Sequence, residues 1–153
     1  ICRQYSVRCI YHTYPEASRA AGVKEIHLPL PVLRQYAGEA DLQPADSRRS
    51  NVSGRARTPL SFFTAVGTSV HSMAEAEEAL RLGATYLTAG HIYSTDCKKG
   101  VPPRGLSFLE KICRMSPVPV YAIGGIHLGT GQLTEVLSCG AAGGCIMSEM
   151  MRI

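Results

Sequence analysis

The side chain with the clearest capacity for chemistry is the imidazole of His91, which follows a short apolar segment in the middle of the chain. An imidazole both donates and accepts a proton near neutral pH, as general acid–base catalysis requires. The polar loop at residues 91–104 also carries most of the other reactive side chains. A lone histidine at a strand end is more often structural, so its surroundings decide whether His91 is catalytic.

Two glycine-containing segments near the end of the chain have the composition of a phosphate-binding site. Gly124-Gly125 ends one apolar run, and Gly143-Gly144 lies in the next. Because glycine has no Cβ, backbone N–H groups there approach phosphate oxygens closely. In a (β/α)8 barrel, the loops after the last two strands form the recurring phosphate site. The two segments predict phosphate binding at this place, with tight turns as the simpler alternative.

These segments must be positioned by a sheet and its helices. Short apolar runs alternate with helical patterns, which predicts β/α units around a parallel sheet. The predicted strands are residues 8–11, 24–28, 62–70, 86–89, 118–123 and 144–147. His91 and the glycine segments then fall at the carboxyl ends of strands, where the catalytic residues of such barrels lie.

Helix starts and one long loop complete this predicted organisation. Ser72 with Glu75, and Ser107 with Glu110, have the spacing of a capping box. Residues 38–59 are rich in Ser, Arg, Asp, Pro and Ala without usable periodicity, which predicts a surface loop or insertion within a single domain, residues 1–153.

The composition excludes several classes of protein. With 45% hydrophobic and 18% charged residues the chain is globular in type, and its net charge of +4 is divided between separate patches, which is too little for a nucleic-acid footprint. No apolar run is long enough to span a membrane, and no signal peptide is recognisable, so we expect a cytosolic protein. The six cysteines form no Cys-x-x-Cys pair.

A series of short motifs extends from residue 67 to residue 148. Among them are Gly67-Thr68-Ser69-Val70-His71-Ser72, Asp96-Cys97-Lys98-Lys99-Gly100, Tyr121-Ala122-Ile123-Gly124-Gly125 and Met147-Ser148. Together they resemble the thiamine phosphate synthase superfamily, and the likeness extends more weakly to about residue 8. The resemblance implies a (β/α)8 TIM barrel, here truncated so that the first two βα units and the last helix are missing.

The superfamily has two branches with different chemistry. Synthases join a pyrimidine diphosphate to a thiazole phosphate, and the resemblance implies magnesium held by carboxylates at the ends of two strands. In this chain the matching positions read His12-Thr13 and Pro29-Leu30-Pro31-Val32, which lack the oxygen ligands that a hard cation needs. Gly90-His91 and the Asp-Cys-Lys-Lys-Gly motif resemble instead the thiazole tautomerases, which aromatise a carboxylated thiazole phosphate by moving a proton.

The sequence therefore predicts a thiazole tautomerase-like isomerase of thiamine biosynthesis, with His91 as the proton carrier. From the resemblance, Thr95 donates a hydroxyl to substrate and Lys98 binds its anion, while the phosphate is held by Gly124, Gly125, Met147 and Ser148. His12 and His27 either face substrate or serve the structure. Cys97 replaces a threonine that contacts ligand, and we expect it to be a spectator more often than an active thiol.

Two alternatives stay open. One is a thiamine phosphate synthase with unusual metal ligands, and the other is a non-catalytic sensor of a phosphate ligand. No cofactor is expected unless the synthase alternative holds, in which case magnesium is required. The expected partner is a small-molecule thiazole phosphate, with no nucleic acid and no membrane, and a homo-oligomer is compatible with the sequence.

Overall fold

A parallel sheet forms the centre of the molecule. The computed structural model describes residues 1–2, 4–38, 58–147 and 149–150. Within these ranges there are six strands, all parallel and hydrogen bonded in chain order, which form a half-barrel. They are β1 (Tyr11–His12), β2 (Glu25–His27), β3 (Ala65–Val70), β4 (Tyr86–Gly90), β5 (Val120–Ile123) and β6 (Gly143–Cys145).

Helices connect successive strands, as the alternating pattern predicts. They are α1 (Pro15–Ala20), α2 (Leu30–Gly38), α3 (Met73–Arg81), α4 (Gly105–Met115) and α5 (Gln132–Ser138). Short 3₁₀ helices at Leu60–Phe62 and Asp96–Lys98 precede β3 and follow β4. None of the helices in the described ranges combines the length and the apolar character that crossing a membrane requires.

The strands have one apolar face and one polar face, because successive side chains point to opposite sides of a strand. The apolar face belongs to a core with the helices and includes Ile26, Val66, Leu87, Val120 and Ala122. The alternate positions are occupied mainly by polar or aromatic side chains: Glu25, His27, Ser69, Tyr86, Thr88 and Tyr121. This second face is the interior of the half-barrel, and it brings reactive groups from several strands together.

Helix α3 begins as the sequence predicts. The Ser72 hydroxyl accepts a hydrogen bond from the Glu75 amide at 3.1 Å. The returning carboxylate of Glu75 accepts from the amide of His71, at 2.6 Å, rather than from that of Ser72. The capping residue is therefore confirmed, and His71 is held at the carboxyl end of β3 by the same carboxylate.

Helix α4 does not begin at the predicted capping box. It starts at Gly105, Arg104 is the N-cap residue, and no side chain caps this end. The first amides are bound instead by the loop after β4, since Arg104 N donates to His91 O at 2.8 Å and Gly105 N to Ile92 O at 3.1 Å. Ser107 thus lies in the first turn of the helix, and its predicted capping role is wrong.

The first third of the chain differs most from the prediction. The first strand is Tyr11–His12, shifted toward the C-terminus from the predicted residues 8–11. Helix α2 was not predicted, because prolines at positions 29 and 31 conceal a helix whose first turn tolerates them. The predicted insertion at residues 38–59 falls almost wholly on residues 39–57, which lie outside the described ranges, so it stays a prediction.

Candidate functional site

A cavity of about 280 Å³ lies at the carboxyl ends of β1, β2 and β3. This edge of a parallel sheet is where ligands bind in α/β proteins. The cavity is lined by imidazole, hydroxyl, carboxylate and apolar groups, namely His12, His27, Pro29, Leu30, Pro31, Ser69, His71 and Glu75. Its volume is slightly below the range typical of pockets for drug-sized ligands, so it accommodates a small molecule.

His27 is the centre of a hydrogen-bond network across three strands. Its Nδ1 lies 3.1 Å from the hydroxyl of Tyr86, and its Nε2 lies 3.0 Å from Oγ of Ser69. Ser69 Oγ in turn lies 2.8 Å from Oγ1 of Thr88. The His12 ring is stacked on the His27 ring, with centroids 5.5 Å apart. Both ring nitrogens of His27 are thus occupied, and its orientation in the cavity is set from β3 and β4.

The network is possible because position 67 is glycine. A Cβ built there would lie 1.9 Å from Cζ of Tyr86, so the Tyr86 ring occupies the space above Gly67. Gly67 pairs with His27 in the β2–β3 register and with Tyr86 in the β3–β4 register. Because β3 has no side chain at position 67, the Tyr86 side chain extends across that strand to His27.

Burial keeps His27 neutral. Burial, together with a smaller effect of the neighbouring His12, lowers the pKa of His27 to about 4. The same surroundings raise the pKa of Tyr86 to about 12, again mainly through burial. A neutral imidazole donates from one nitrogen and accepts at the other, which matches two hydroxyl partners.

The free energy of unfolding should therefore depend on pH through His27. The unfolded chain binds a proton on this side chain below about pH 6.5, whereas the folded chain resists protonation until about pH 4, so stability falls as pH falls through this interval. Allowing for partial exposure, we expect a loss of about 2 kcal/mol from His27 between pH 7 and pH 4. Urea unfolding of the wild type and of His27→Gln measures the difference, and parallel pH profiles would contradict the prediction.

His71, which lines the cavity next to α3, is influenced by charges of both signs. His71 Nδ1 lies 3.4 Å from Oε2 of Glu75. Burial lowers the pKa of His71, the charges of Lys98 and Arg104 lower it further, and Glu75 acts in the opposite direction. Lys98 and Arg104 are both exposed and lie in the loop after β4 and at the start of α4. Their charges act on His71, although neither residue lines the cavity.

His91 is not among the residues that line this cavity. The residue is only 4% exposed, and its Nε2 lies 3.3 Å from the carbonyl oxygen of Val101. Nδ1 is buried and has no hydrogen-bond partner within the described part of the chain. A Cβ at Gly124 would lie 2.4 Å from Cβ of His91, so the two residues are in tight contact. A catalytic role for His91 stays a prediction, while its packing role is visible.

The Gly124-Gly125 pair is explained in part by close packing. A Cβ at Gly125 would lie 2.3 Å from the carbonyl oxygen of Ser94, and both glycines have a positive φ, 98° and 70°. Tyr93 N donates to Gly124 O at 3.0 Å, so the loop after β4 lies directly on these residues. The glycines are required for that contact whether or not a phosphate binds there, and their phosphate-binding role stays a prediction.

The other predicted site residues are dispersed. Thr95 is partly buried and its carbonyl accepts from the amide of Lys98 at 3.1 Å. Met147 is 66% exposed after β6. Ser148 lies outside the described residues. The loops after β5 and β6 do meet, because the Glu149 carboxylate accepts from the Leu128 amide at 2.8 Å.

Sequence reasoning gave too little weight to the polar interior face. Ser69, Tyr86 and Thr88 are not among the predicted site residues, and the sequence leaves open whether His27 faces substrate or serves the structure. The available signal was the alternation along β2 and β4, in which Glu25, His27, Tyr86 and Thr88 alternate with aliphatic residues; in β3, Ser69 is the polar residue on the corresponding face. The strand pairing that joins them could not be obtained from one strand alone.

The cavity does not fit a magnesium ion. Mg²⁺ is bound through oxygen ligands, chiefly carboxylates. Of the described residues that line the cavity, Glu75 is the only carboxylate, and it is bound to His71. No group of three or more His, Cys, Asp or Glu side chains within the described ranges is arranged to hold a metal ion.

Comparison with known proteins identifies relatives along the whole chain. The family model for thiamine monophosphate synthase matches residues 1–150. Thiamine-phosphate synthase from Thermus thermophilus is 32% identical over 143 residues, which cover 92% of this chain and 58% of that protein. The synthase from Pyrococcus horikoshii is 42% identical over 86 residues, covering 56% of this chain and 41% of that protein.

One of the matching solved structures, a thiamine phosphate pyrophosphorylase, has the same fold. Thiamine phosphate pyrophosphorylase from Pyrococcus furiosus superposes with a TM-score of 0.70 at 27% identity, covering 99% of this chain and 63% of that one. The chain therefore spans less than two thirds of the length of these relatives.

These relatives correct the predicted activity. The prediction of a thiazole tautomerase, and so of an isomerase, is wrong, because the similar curated proteins are named thiamine-phosphate synthase. The residues of the loop after β4 resemble the tautomerase branch, but the similarity to synthases over the full chain is the stronger evidence. With a family model matching residues 1–150, the chain belongs to the thiamine monophosphate synthase family.

Proposed function

We propose that this chain forms the substrate-binding part of a thiamine phosphate synthase, a transferase that joins hydroxymethylpyrimidine diphosphate to thiazole phosphate. The observation that carries the proposal is the cavity at the carboxyl ends of β1 to β3, where the charges of Lys98 and Arg104 act on His71 in the cavity wall. Its position and charge suit an anionic small molecule. The names of the relatives supply the reaction.

In this proposal the diphosphate lies beside His71, Lys98 and Arg104. Joining the two substrates expels diphosphate, so negative charge increases on the leaving group as the reaction proceeds. Fixed positive side chains stabilise such charge in the transition state. Lys98 and Arg104 meet this requirement, and neither has an ion-pair partner within the described ranges.

The heterocyclic ring of the diphosphate substrate then lies toward His27 and Ser69. Both are held by the network with Tyr86 and Thr88, so their polar atoms are preorganised before substrate binds. Preorganised donors and acceptors lower the entropic cost of orienting a ligand. We propose that His27 and Ser69 orient the ring.

Thiazole phosphate would bind toward β5 and β6. The loops after these strands, with Gly124, Gly125, Met147 and Ser148, correspond to the phosphate site of (β/α)8 barrels. We propose that the six strands correspond to the third to eighth strands of such a barrel.

A second candidate function is ligand binding without coupling. The observation that favours it concerns the positions at which the resemblance implies metal ligands. In this cavity those positions are His12 and Pro29 to Pro31, and none of them has a carboxylate. Such a protein would sense a phosphate ester, because binding loops persist when chemistry is lost.

Coupling of the two substrates distinguishes these functions. We expect the chain, incubated with both substrates, to form thiamine phosphate and release pyrophosphate in equal amounts, as measured by chromatography. Each substrate alone, and both substrates without protein, serve as controls. Saturable binding of thiazole phosphate without formation of thiamine phosphate would instead support the ligand-binding function and contradict the proposed transferase activity.

A further inference from the structure

Two hydroxyl groups outside the cavity lining are hydrogen bonded to residues that form it. His27 and Ser69 line the cavity, whereas Tyr86 and Thr88 do not. The four polar groups form one hydrogen-bonded chain in the order Tyr86, His27, Ser69 and Thr88, with successive atoms 3.1 Å, 3.0 Å and 2.8 Å apart. Within the described residues, neither terminal hydroxyl has a second hydrogen-bond partner. The chain therefore begins and ends at groups that act on the cavity only through its lining.

The protons of this chain can run in two directions. A neutral imidazole has one N–H and one acceptor nitrogen, so the direction at one ring nitrogen fixes the direction at the other. In the first arrangement the Tyr86 hydroxyl donates to Nδ1 of His27, and Nε2–H donates to Ser69. The Ser69 hydroxyl then donates to Thr88. In the second arrangement every bond is reversed, and the Tyr86 O–H has no acceptor among the described residues.

The first arrangement makes use of the stronger donor. A phenol is more acidic than an aliphatic alcohol, so its O–H donates more strongly and its oxygen accepts less well. Burial raises the pKa of Tyr86 to about 12, so this hydroxyl keeps its proton at neutral pH. The first arrangement leaves only the weaker Thr88 O–H without an acceptor, whereas the second leaves the phenolic O–H without one. Tyr86 is therefore the donor at the start of the chain.

We infer that Tyr86 and Thr88 are positioning residues that make Ser69 a hydrogen-bond acceptor toward the cavity, where it selects a ligand with an N–H donor. A serine hydroxyl has one proton and two lone pairs. The proton of Ser69 is directed to Thr88 and one lone pair receives Nε2–H of His27, so one lone pair is left for a ligand. The inference rests on the proposed function, in which a heterocycle lies at His27 and Ser69, and it specifies the ring substituent that fits there.

The tautomer of His27 tests the direction of the chain. Long-range proton–nitrogen correlation spectra distinguish a protonated ring nitrogen from an unprotonated one, and His27→Gln identifies the signals. We expect a protonated Nε2 and an unprotonated Nδ1 at pH 7. Tyr86→Phe keeps the aromatic ring but removes the donor, so the Nδ1 resonance should move downfield. Tyr121→Phe is the matched control, because the Tyr121 ring packs against Tyr86 with centroids 6.0 Å apart but is not bonded to His27, and it should leave this resonance in place.

Two pyrimidines of similar size test the selected ligand group. 4-Aminopyrimidine has an N–H donor where 4-methoxypyrimidine has an oxygen acceptor. In titrations followed by NMR, we expect the wild type to bind the amino compound at least about tenfold more tightly, because the methoxy oxygen would face a lone pair of Ser69 without a donor. Thr88→Val frees the Ser69 proton for the ligand, so the ratio should fall below about threefold. Thr68→Val is the control, because this buried hydroxyl has no partner within the described residues, and it should preserve the ratio.

Several results would overturn the inference: a protonated Nδ1 in the wild type, no binding of either pyrimidine, equal affinities for the two, or an unchanged ratio in Thr88→Val. The transferase activity is tested separately, because none of these measurements requires turnover. A protonated Nε2 and preference for the amino compound without formation of thiamine phosphate would support the inference and contradict the transferase. Thiamine phosphate formed by a chain with a protonated Nδ1 would support the transferase and contradict the inference.

Discussion

Gly124→Ala is expected to lower the free energy of unfolding by about 3 kcal/mol or more. The new Cβ would lie 2.4 Å from Cβ and 2.8 Å from Cα of His91, and neither atom belongs to a flexible side-chain end. The backbone at Gly124 also has a φ of 98°, which L residues rarely adopt. Overpacking typically costs 1–3 kcal/mol and a left-handed backbone about 1–2 kcal/mol more. Urea unfolding at pH 7 measures the loss.

Gly129→Ala separates the two causes of this loss. Gly129 also has a positive φ, 73°, so alanine there is strained in a similar way, but a Cβ at this position would meet nothing within 4 Å. We expect this control to lose only about 1 kcal/mol, from the backbone term. Equal losses at Gly124 and Gly129 would show that contact with His91 is unimportant, and the packing account of the glycine pair would be abandoned.

Gly67→Ala is expected to lower the free energy of unfolding by about 3 kcal/mol, although alanine normally stabilises a strand relative to glycine. The three nearest atoms to the new Cβ all belong to the Tyr86 ring, at 1.9 Å, 2.3 Å and 2.4 Å. The ring must leave its place, and the hydrogen bond between Tyr86 and His27 is lost with it. A change in the near-ultraviolet circular dichroism of the tyrosines should accompany the loss.

A double-mutant cycle with Tyr86→Ala isolates this contact. Without the Tyr86 ring, Gly67→Ala should be close to neutral, so the interaction energy should be about 3 kcal/mol. Tyr86→Phe adds a second comparison, because it keeps the ring and removes only the hydroxyl that contacts His27. Additive losses in the cycle would contradict the assigned role of Gly67.

The glycine contacts have a consequence for the proposed site. The loop after β4 rests on Gly124 and Gly125 and contains Lys98, and with Arg104 this residue acts on the pKa of His71 in the cavity wall. Under the proposed function, displacing that loop should weaken anion binding as well as the fold. The His91 side chain is part of the same contact, which gives a packing reason for a buried histidine at this strand end.

The tautomerase prediction failed for an identifiable reason. It rested on the loop residues around His91 and Cys97, and on the missing carboxylates at residues 12–13 and 29–32. Cys97 is exposed, and His91 is buried away from the lining of the cavity. Loop residues vary more readily than the elements they connect, so similarity over 143 residues is the stronger guide to the activity of relatives.

Local features could be predicted from the sequence by itself. The alternation of strands and helices, the N-cap at Ser72 and the family follow from short-range patterns, since hydrophobic periodicity and capping depend on neighbours in the chain. The missing carboxylates at residues 12 and 29–32 were equally visible.

Only the tertiary structure decided which of these residues meet. His12, His27 and Ser69 come together because three parallel strands end at one edge. The start of α4 was decided by amide contacts with the loop after β4, which local spacing at Ser107 could not reveal. Contacts between residues distant in the chain depend on strand register and close packing, and one-dimensional patterns do not contain that information.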